Sequence, residues 1–477
     1  TSTMINLILL FPLLACLILF IFKKGCLNNL MINLYAILHF IVSTALFFNV
    51  DFLPMWGGNK FFAIDDTNKI FLMVMSIVFL GVAIYNNGYH KDVEEQVRKI
   101  RHYTYMVLFF VFSMTGAVLS ENLGITWVFI EGTTLASAYL IYFHKTKHSI
   151  EAAWKYVFIC SIGIALAFVG IILLTIATGN LNTLFYNDLY HNAPLFNQFW
   201  LKLSFVFILF GIGTKMGLAP VHFWLPDAHA EAPSPISALL SATLLNSAFL
   251  MILNVFRILV LAGCSDYARI MLMTMGLISL FITAVFVYHI NNYKRMLAYS
   301  SIENMGILAI GTALGGIGML AAMIHLIGHS LIKASFFLTS GNILEIYGTK
   351  KIKSVTGLLK TDKKTGWLWV ISFLGIAAFP PSVLFISEFL IVKSMFLRGH
   401  FIICALFLLL LTIVIYGLAK AVIKMTFSAK SGEEIAPKKL AWNMYFPQIA
   451  MLLIAFIIGI YMPQGLSQML LAAVAGF

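Results

Sequence analysis

The chain has 477 residues, of which 61% are hydrophobic and only 10% charged. A soluble domain carries about 25% charged residues, so this composition excludes a water-solvated surface and reads as an integral membrane protein. The formal net charge of +12 is spread over short loops between apolar runs, an orientation signal rather than a nucleic-acid footprint.

A membrane-crossing helix needs about 20 mostly apolar residues. Runs of that kind cover 4–22, 30–49, 68–87, 104–120, 122–142, 155–178, 200–224, 234–262, 268–290, 296–313, 317–346, 366–398, 401–427 and 444–463. The expected fold is therefore all-α, with about fourteen transmembrane spans. In the first run Lys23 and Lys24 follow the apolar stretch, the wrong order for a signal peptide, so an uncleaved first span is expected.

Several of the longer later runs contain proline, which removes a backbone donor and clashes with the preceding turn. Span 7 carries Pro220, span 8 opens with Pro233 and Pro235, and span 12 carries Pro380 and Pro381. Spans 7 and 12 are expected to be discontinuous, because unwound backbone at membrane depth is tolerated only where protein or a water-filled cavity surrounds it. They lie five spans apart. That spacing predicts two inverted five-helix repeats, since an odd number of crossings turns the second copy over. The expected organisation is helices 1–3 over 1–103, repeat one over 104–262, repeat two over 263–427 and a last helix within 428–477.

Charge alternates with the spans. Loops after odd-numbered spans hold Lys23, Lys24, Lys91, Arg98, Lys99, Arg101, Lys145, Lys147, Lys294, Arg295, Lys350, Lys351, Lys353, Lys360, Lys363, Lys364, Lys430, Lys438 and Lys439. Loops after even-numbered spans hold only Lys60, Arg257, Arg269 and Arg398. The positive-inside rule puts the first set in the cytoplasm. The expected location is a bacterial or archaeal cytoplasmic membrane, with both termini on the non-cytoplasmic side.

An ionised residue at the centre of a spanning helix costs roughly 2.5–3.5 kcal/mol on insertion scales. Lys23, Lys69, Lys202, Lys393, Lys420 and Lys424 sit near span ends and can snorkel; Lys155 is intermediate. Deeper lie Glu131, Lys215, His325, His329, Lys333 and Glu388, with Glu303 shallower. His325, His329 and Lys333 recur at every fourth residue and form one stripe on a helix face. Static salt bridges between packed helices would explain one such pair. Charges on four separate spans point instead to a proton relay. A lysine in the path repels Na⁺, which wants several oxygen ligands. Burial favours a neutral lysine, whereas a carboxylate about 4 Å away favours the ammonium by roughly 4 kcal/mol at an effective dielectric of about 20. Opening and closing a Glu131–Lys215 pair would thus switch Lys215 between holding and releasing a proton. The break at Pro220 is expected to bring water and unpaired backbone to it.

Cys16, Cys26, Cys160, Cys264 and Cys404 are far apart, with no C-x-x-C pair, so no iron–sulfur or zinc site is readable; they read as small apolar fillers. There is no Walker loop, and Gly211-Ile212-Gly213 lacks the context for dinucleotide binding. No cofactor is expected in this chain.

The stretches "GTKMGLAPVHFWLPDAHAEAPSPISALLSA" (213–242), "IEGTTLASAYL" (130–140), "SIEAAWKYVFICSIGIAL" (149–166), "KRMLAYSSIENMG" (294–306) and "HLIGHSLIKASFFLTSGNIL" (325–344) closely resemble the antiporter-like proton-translocating subunits. That family is shared by respiratory complex I, Mrp cation/proton antiporters and group 4 hydrogenases, and the likeness is greatest to the component F branch of hydrogenase-4. The resemblance implies a helix 5 glutamate and helix 7 lysine as a coupling pair, Glu131 and Lys215. It also implies a central His329 with Lys333, and an exit carboxylate, Glu388. Many complex I relatives carry His or Lys on helix 8; here that stretch offers Ser237, Ser241 and Asn246. Ser241 and Asn246, with Glu303 and Lys155, are the candidate support for the relay.

The function implied is proton translocation, as a membrane subunit of a hydrogenase-type oxidoreductase. Nickel–iron and iron–sulfur centres would lie in partner subunits of a peripheral redox arm, other membrane subunits would flank this one in the bilayer, and no nucleic acid would be bound. An Mrp-type cation/proton antiporter subunit without a redox partner is the alternative. A non-pumping scaffold is a third possibility, poorly served by the intact row of buried charges.

Overall fold

The computed structural model describes residues 1–50, 60–89, 97–428 and 439–477. Lys91, Lys430 and Lys438, counted above among the loop charges, lie outside the described residues. Helices make up the fold: α1 (Ser2–Phe22), α2 (Cys26–Phe47), α3 (Asp66–Tyr89), α4 (Val97–Leu119), α5 (Leu123–Ile141), α6 (Lys147–Thr178), α7 (Tyr186–Asn192), α8 (Gln198–Met216), α9 (Leu225–Glu231), α10 (Ser234–Leu239), α11 (Leu245–Leu261), α12 (Ser265–Phe286), α13 (Tyr293–Leu314), α14 (Ile317–Tyr347), α15 (Leu358–Thr361), α16 (Lys363–Ile376), α17 (Val383–Leu397), α18 (Phe401–Phe427), α19 (Phe446–Ile460) and α20 (Gln464–Val474). Among the described residues β-structure is confined to isolated bridges such as Asn122–Phe185 and Asn292–Lys351. Among the described residues twelve helical segments are long and apolar enough to cross a membrane. The polar α13, and α16 and α17 with 14 and 15 residues, fall outside that set.

Span 7 ends early, and the cause is local. α8 stops at Met216, where Gly217 adopts φ 79° and its N–H caps the Gly213 and Thr214 carbonyls. Glycine reaches this left-handed conformation without a Cβ penalty. The chain resumes as α9, with Pro226 in its first turn, where a proline ring fits. Span 12 breaks likewise into α16 and α17 around Pro380-Pro381, with Ala378 at φ 54°. In each break one terminal carbonyl also accepts from a side chain beyond the gap. Trp224 Nε1 donates to the Thr214 carbonyl at 2.6 Å, and Ser382 Oγ to that of Gly375 at 3.0 Å. The Thr214 carbonyl, next to Lys215, is therefore paired. Span 8 is also irregular: a π-bulge at Leu240–Leu244 separates α10 from α11, a feature common at functional sites.

α14 forms the centre. It packs against α3, α10, α13, α16, α17, α19 and α20, and 89% of its most apolar window is buried. Small residues let neighbouring backbones approach, as membrane packing requires: a Cβ on Gly211 of α8 would lie 2.4 Å from the Gly163 carbonyl of α6. Outward-facing side chains are large and apolar, among them Phe158, Leu195, Ile402 and Ile460, as a lipid-exposed surface demands.

Candidate functional site

Lys215 occupies the last turn of α8, just before the break, and is fully buried. Its Nζ donates to Tyr156 Oη at 2.7 Å and to Thr133 Oγ1 at 3.4 Å. Tyr156 Oη in turn lies 2.6 Å from Ser137 Oγ. Ser137 donates to the Thr133 carbonyl and Thr133 to that of Ile130, so the hydrogens run in one direction from the lysine to the α5 backbone. Glu131 is half-buried, and its Oε2 accepts from Thr134 Oγ1 at 3.4 Å. The ion pairs of the described residues include neither Glu131 nor Lys215; the expected coupling pair is open in this structure.

In the second half Lys333 Nζ donates to the Leu297 carbonyl of α13 at 2.9 Å. Glu303 is buried, at 5% exposure, and is approached by Ser300 Oγ at 3.5 Å. His325 is fully buried and bonded at both ring nitrogens: Nδ1 to Ser387 Oγ at 2.8 Å and Nε2 to Asn304 Oδ1 at 2.9 Å. His329, one turn along, lies parallel with ring centroids 6.5 Å apart, yet neither of its nitrogens has a partner among the described residues. Glu388 keeps partial exposure on α17.

Two buried side-chain hydrogen bonds are among the contacts that join the halves. Ser241, inside the π-bulge, shares a 2.7 Å hydrogen bond with Ser301 of α13. Asn246 Nδ2 donates to Ser330 Oγ of α14 at 2.7 Å, next to His329. The helix 8 hydroxyl and amide groups thus touch the helices that carry Glu303 and His329.

Other residues end up elsewhere than the sequence implies. Lys155 is partly exposed and pairs with Glu151 and Asp227 at 3.0 Å each, at the surface and outside the buried row. Asp227 also binds Arg295 at 2.5 Å, while Glu231 holds Lys350 at 3.3 Å. These pairs tie α9, the segment after the first break, to α6 and α13. Lys294, counted among the loop charges, is fully buried and donates to the Ala232 carbonyl. Lys69 is buried and paired with Asp66 at 2.8 Å, at the start of α3. Cys26 is exposed, unlike buried Cys160, Cys264 and Cys404. Tyr156, Asn304, Ser387 and His229 do not stand out in the sequence. His229 is fully buried, with neither nitrogen partnered among the described residues, and stacks on Phe337 at 4.7 Å. The signal available is adjacency: Asn304 follows Glu303, and Ser387 precedes Glu388.

Comparison with known proteins fits this arrangement. Residues 120–415 match the family model described as "NADH:quinone oxidoreductase/Mrp antiporter, TM". The chain is 34% identical to a hydrogenase-4 component F homolog of Methylacidiphilum infernorum, over 96% of each. It is 26% identical to a Na(+)/H(+) antiporter subunit of Bacillus subtilis, over 83% of this chain and 80% of that protein. In fold it is similar to a chain of the archaeal membrane-bound sulfane sulfur reductase, a respiratory membrane complex, with TM-score 0.87, 22% identity and 99% and 97% coverage. A chain of the Mrp complex of Dietzia sp. DQ12-45-1b gives TM-score 0.86 at 17% identity, again with 99% and 97% coverage. The chain belongs to the NADH:quinone oxidoreductase/Mrp antiporter membrane family, as an antiporter-like subunit of the kind found in hydrogenase, complex I and Mrp assemblies.

Proposed function

We propose that this chain moves protons across the cytoplasmic membrane as a subunit of a hydrogenase-type redox complex. The observation that carries this is the succession of buried polar groups. They are half-buried Glu131, Lys215 and Tyr156 in the first half, the Ser241–Ser301 and Asn246–Ser330 contacts between the halves, and Lys333, His325 and partly exposed Glu388 in the second. Buried ionisable groups at membrane depth mark ion pathways and proton relays. Opening of the Glu131–Lys215 pair frees the lysine to give up its proton, and closing it reloads the ammonium.

The division into two inverted repeats, 104–262 and 263–427, is part of this reading. It is supported by α5 and α13, the second helix of each proposed repeat. Asn122 caps α5 through bonds of 3.0 and 3.2 Å to the Gly124 and Ile125 N–H groups; Asn292 caps α13 through 3.0 and 3.1 Å bonds to those of Lys294 and Arg295. Each cap residue also forms a bridge to the loop after the next long helix, Asn122 to Phe185 and Asn292 to Lys351. Counting α13 and the joined α16–α17 as crossings brings the spans to about fourteen and puts both termini outside, by the charge rule.

The cysteines lie on separate helices or loop ends and offer no donor set for a cluster, so no electron-transfer step is assigned to this chain. Nickel–iron and iron–sulfur centres are assigned to partner subunits of a peripheral arm. An Mrp-type antiporter subunit without redox partner is the second reading, favoured by the 26% identity to a Na(+)/H(+) antiporter subunit. Purification of the native complex separates the two. Co-purifying hydrogenase subunits with redox-driven proton uptake support the first; Na⁺-dependent exchange driven only by an ion gradient supports the second.

A further inference from the structure

We propose that His325, rather than its neighbour His329, is the group in the second half that takes up and releases a proton, and that Ser387 and Asn304 are positioning residues that let it do so with no heavy atom moving. This rests on the proton-transport reading above and gives the relay a specific loading site.

The argument is one of donors and acceptors. Asn304 Nδ2 donates to the Ser300 carbonyl at 2.6 Å. A carbonyl needs a donor, so the amide is oriented with Oδ1 toward His325, and Oδ1, which can only accept, fixes a hydrogen on Nε2. The remaining nitrogen, Nδ1, faces Ser387 Oγ at 2.8 Å, and that hydroxyl has a second partner, the Leu384 carbonyl, at 2.9 Å. One hydroxyl hydrogen thus chooses between two acceptors. Turned toward Nδ1, it donates to a neutral imidazole. Turned toward the Leu384 carbonyl, it leaves its oxygen to accept from a protonated Nδ1. Both charge states of the ring therefore have every N–H and lone pair satisfied. Loading adds one proton to Nδ1 from a protonated relay neighbour, which is left one proton poorer, and only the hydroxyl rotates.

His329 has no comparable provision. An unpaired buried charge is far more costly than a hydrogen-bonded one, and both of its nitrogens lack partners among the described residues. The helices around His325 carry these acidic and basic groups: Glu303 midway along α13, with Lys294 and Arg295 at its start; His329 and Lys333 on α14, with Glu345 near its end; Glu388 on α17, with Lys393 further along; α3 brings Asp66 and Lys69 only in its first turn, and α16 brings Lys363 and Lys364 only at its start. The segments α10, α19 and α20, also packed on α14, carry no acidic or basic side chain. His325 therefore bridges the helix of Glu303 to that of Glu388.

The test uses the whole complex in inverted vesicles, with proton uptake recorded from pH 5.5 to 8.5 in sodium-free buffer. Ser387→Ala removes the acceptor for the protonated ring; uptake at neutral pH is expected to fall at least about tenfold, with the profile moved to acid. Ser387→Thr keeps the hydroxyl and restores the wild-type profile. Asn304→Asp places a carboxylate on Nε2–H and moves the profile to alkaline pH. His329→Asn lowers uptake less than His325→Asn does and leaves the pH profile in place. A wild-type rate and profile in assembled Ser387→Ala overturns the inference, as does loss of uptake in His329→Asn with retention in His325→Asn. If Ser387→Ala does not assemble, Asn304→Asp decides, and an unmoved profile overturns it. A wild-type complex that moves no protons would instead sink the functional reading itself.

Discussion

The lysine of the first half and the lysine of the second are held in different ways. Lys215 donates to a phenol, which passes the hydrogen-bond chain on to Ser137. Lys333 donates to a backbone carbonyl, which accepts a hydrogen bond but relays nothing. Tyr156 can answer deprotonation of Lys215 by turning its own hydrogen to the amine, so the first half has an adjustable partner at the lysine itself. In the second half the adjustable partner is one step removed, at Ser387 beside His325. Two halves with matching caps and matching breaks have thus placed their rotatable hydroxyls differently, and equivalent substitutions in them should not have equivalent effects.

The largest effect tests what the halves share. Lys333→Met is expected to lower proton uptake by about 100-fold or more in an assembled complex, as removal of any obligatory station would; vesicle acidification reads it directly. Next comes the difference. Tyr156→Phe keeps the ring but takes from Lys215 a hydrogen bond to a charged group, worth about 1.5–3 kcal/mol, so uptake should drop about tenfold or more. Phe336, whose ring centroid lies 6.0 Å from Lys333 Nζ, offers that lysine no hydrogen bond, and Phe336→Leu should leave the rate near wild type. Smaller again is the link between halves. Asn246→Leu removes the bond to Ser330 and is expected to slow uptake about fivefold, on about 1 kcal/mol for one hydrogen bond. The smallest expected effect concerns the repeats alone. Asn122→Ala and Asn292→Ala should each cost about 1 kcal/mol of helix stability, seen as a similar fall in the thermal inactivation temperature of the solubilised complex. Unequal losses would weaken the repeat assignment.

Much of the helical layout is legible because it rests on long apolar runs interrupted by proline, features of composition and backbone chemistry. Lys215, His325, His329 and Lys333 are legible for the same reason: a charge in an apolar run stands out. Their partners are not. Nothing in the spacing tells that Tyr156 of α6 reaches Lys215 while Glu131 does not, because that depends on the packing of α6 against α8 through Gly163 and Gly211. Nor does it tell that the Thr214 carbonyl at the first break accepts from Trp224, ten residues on. Lys294 reads as a loop charge because it stands at a helix start; the Ala232 carbonyl that receives it belongs to the distorted stretch after α9. Ser387 and Asn304 are hidden by their ordinariness, since serine and asparagine in a helix usually bond their own backbone. Here both do that and reach His325 as well.

The central claim is that Lys215 is a titrating station and not a packing residue. The direct measurement is redox-driven proton uptake by inverted vesicles carrying the Lys215→Met complex, with assembly verified by native gel and redox turnover followed in parallel. Collapse of uptake in an assembled complex is the predicted result, with turnover falling alongside if the two are tightly coupled. Wild-type uptake in that complex would contradict the account and leave Lys215 a structural residue bonded to Tyr156.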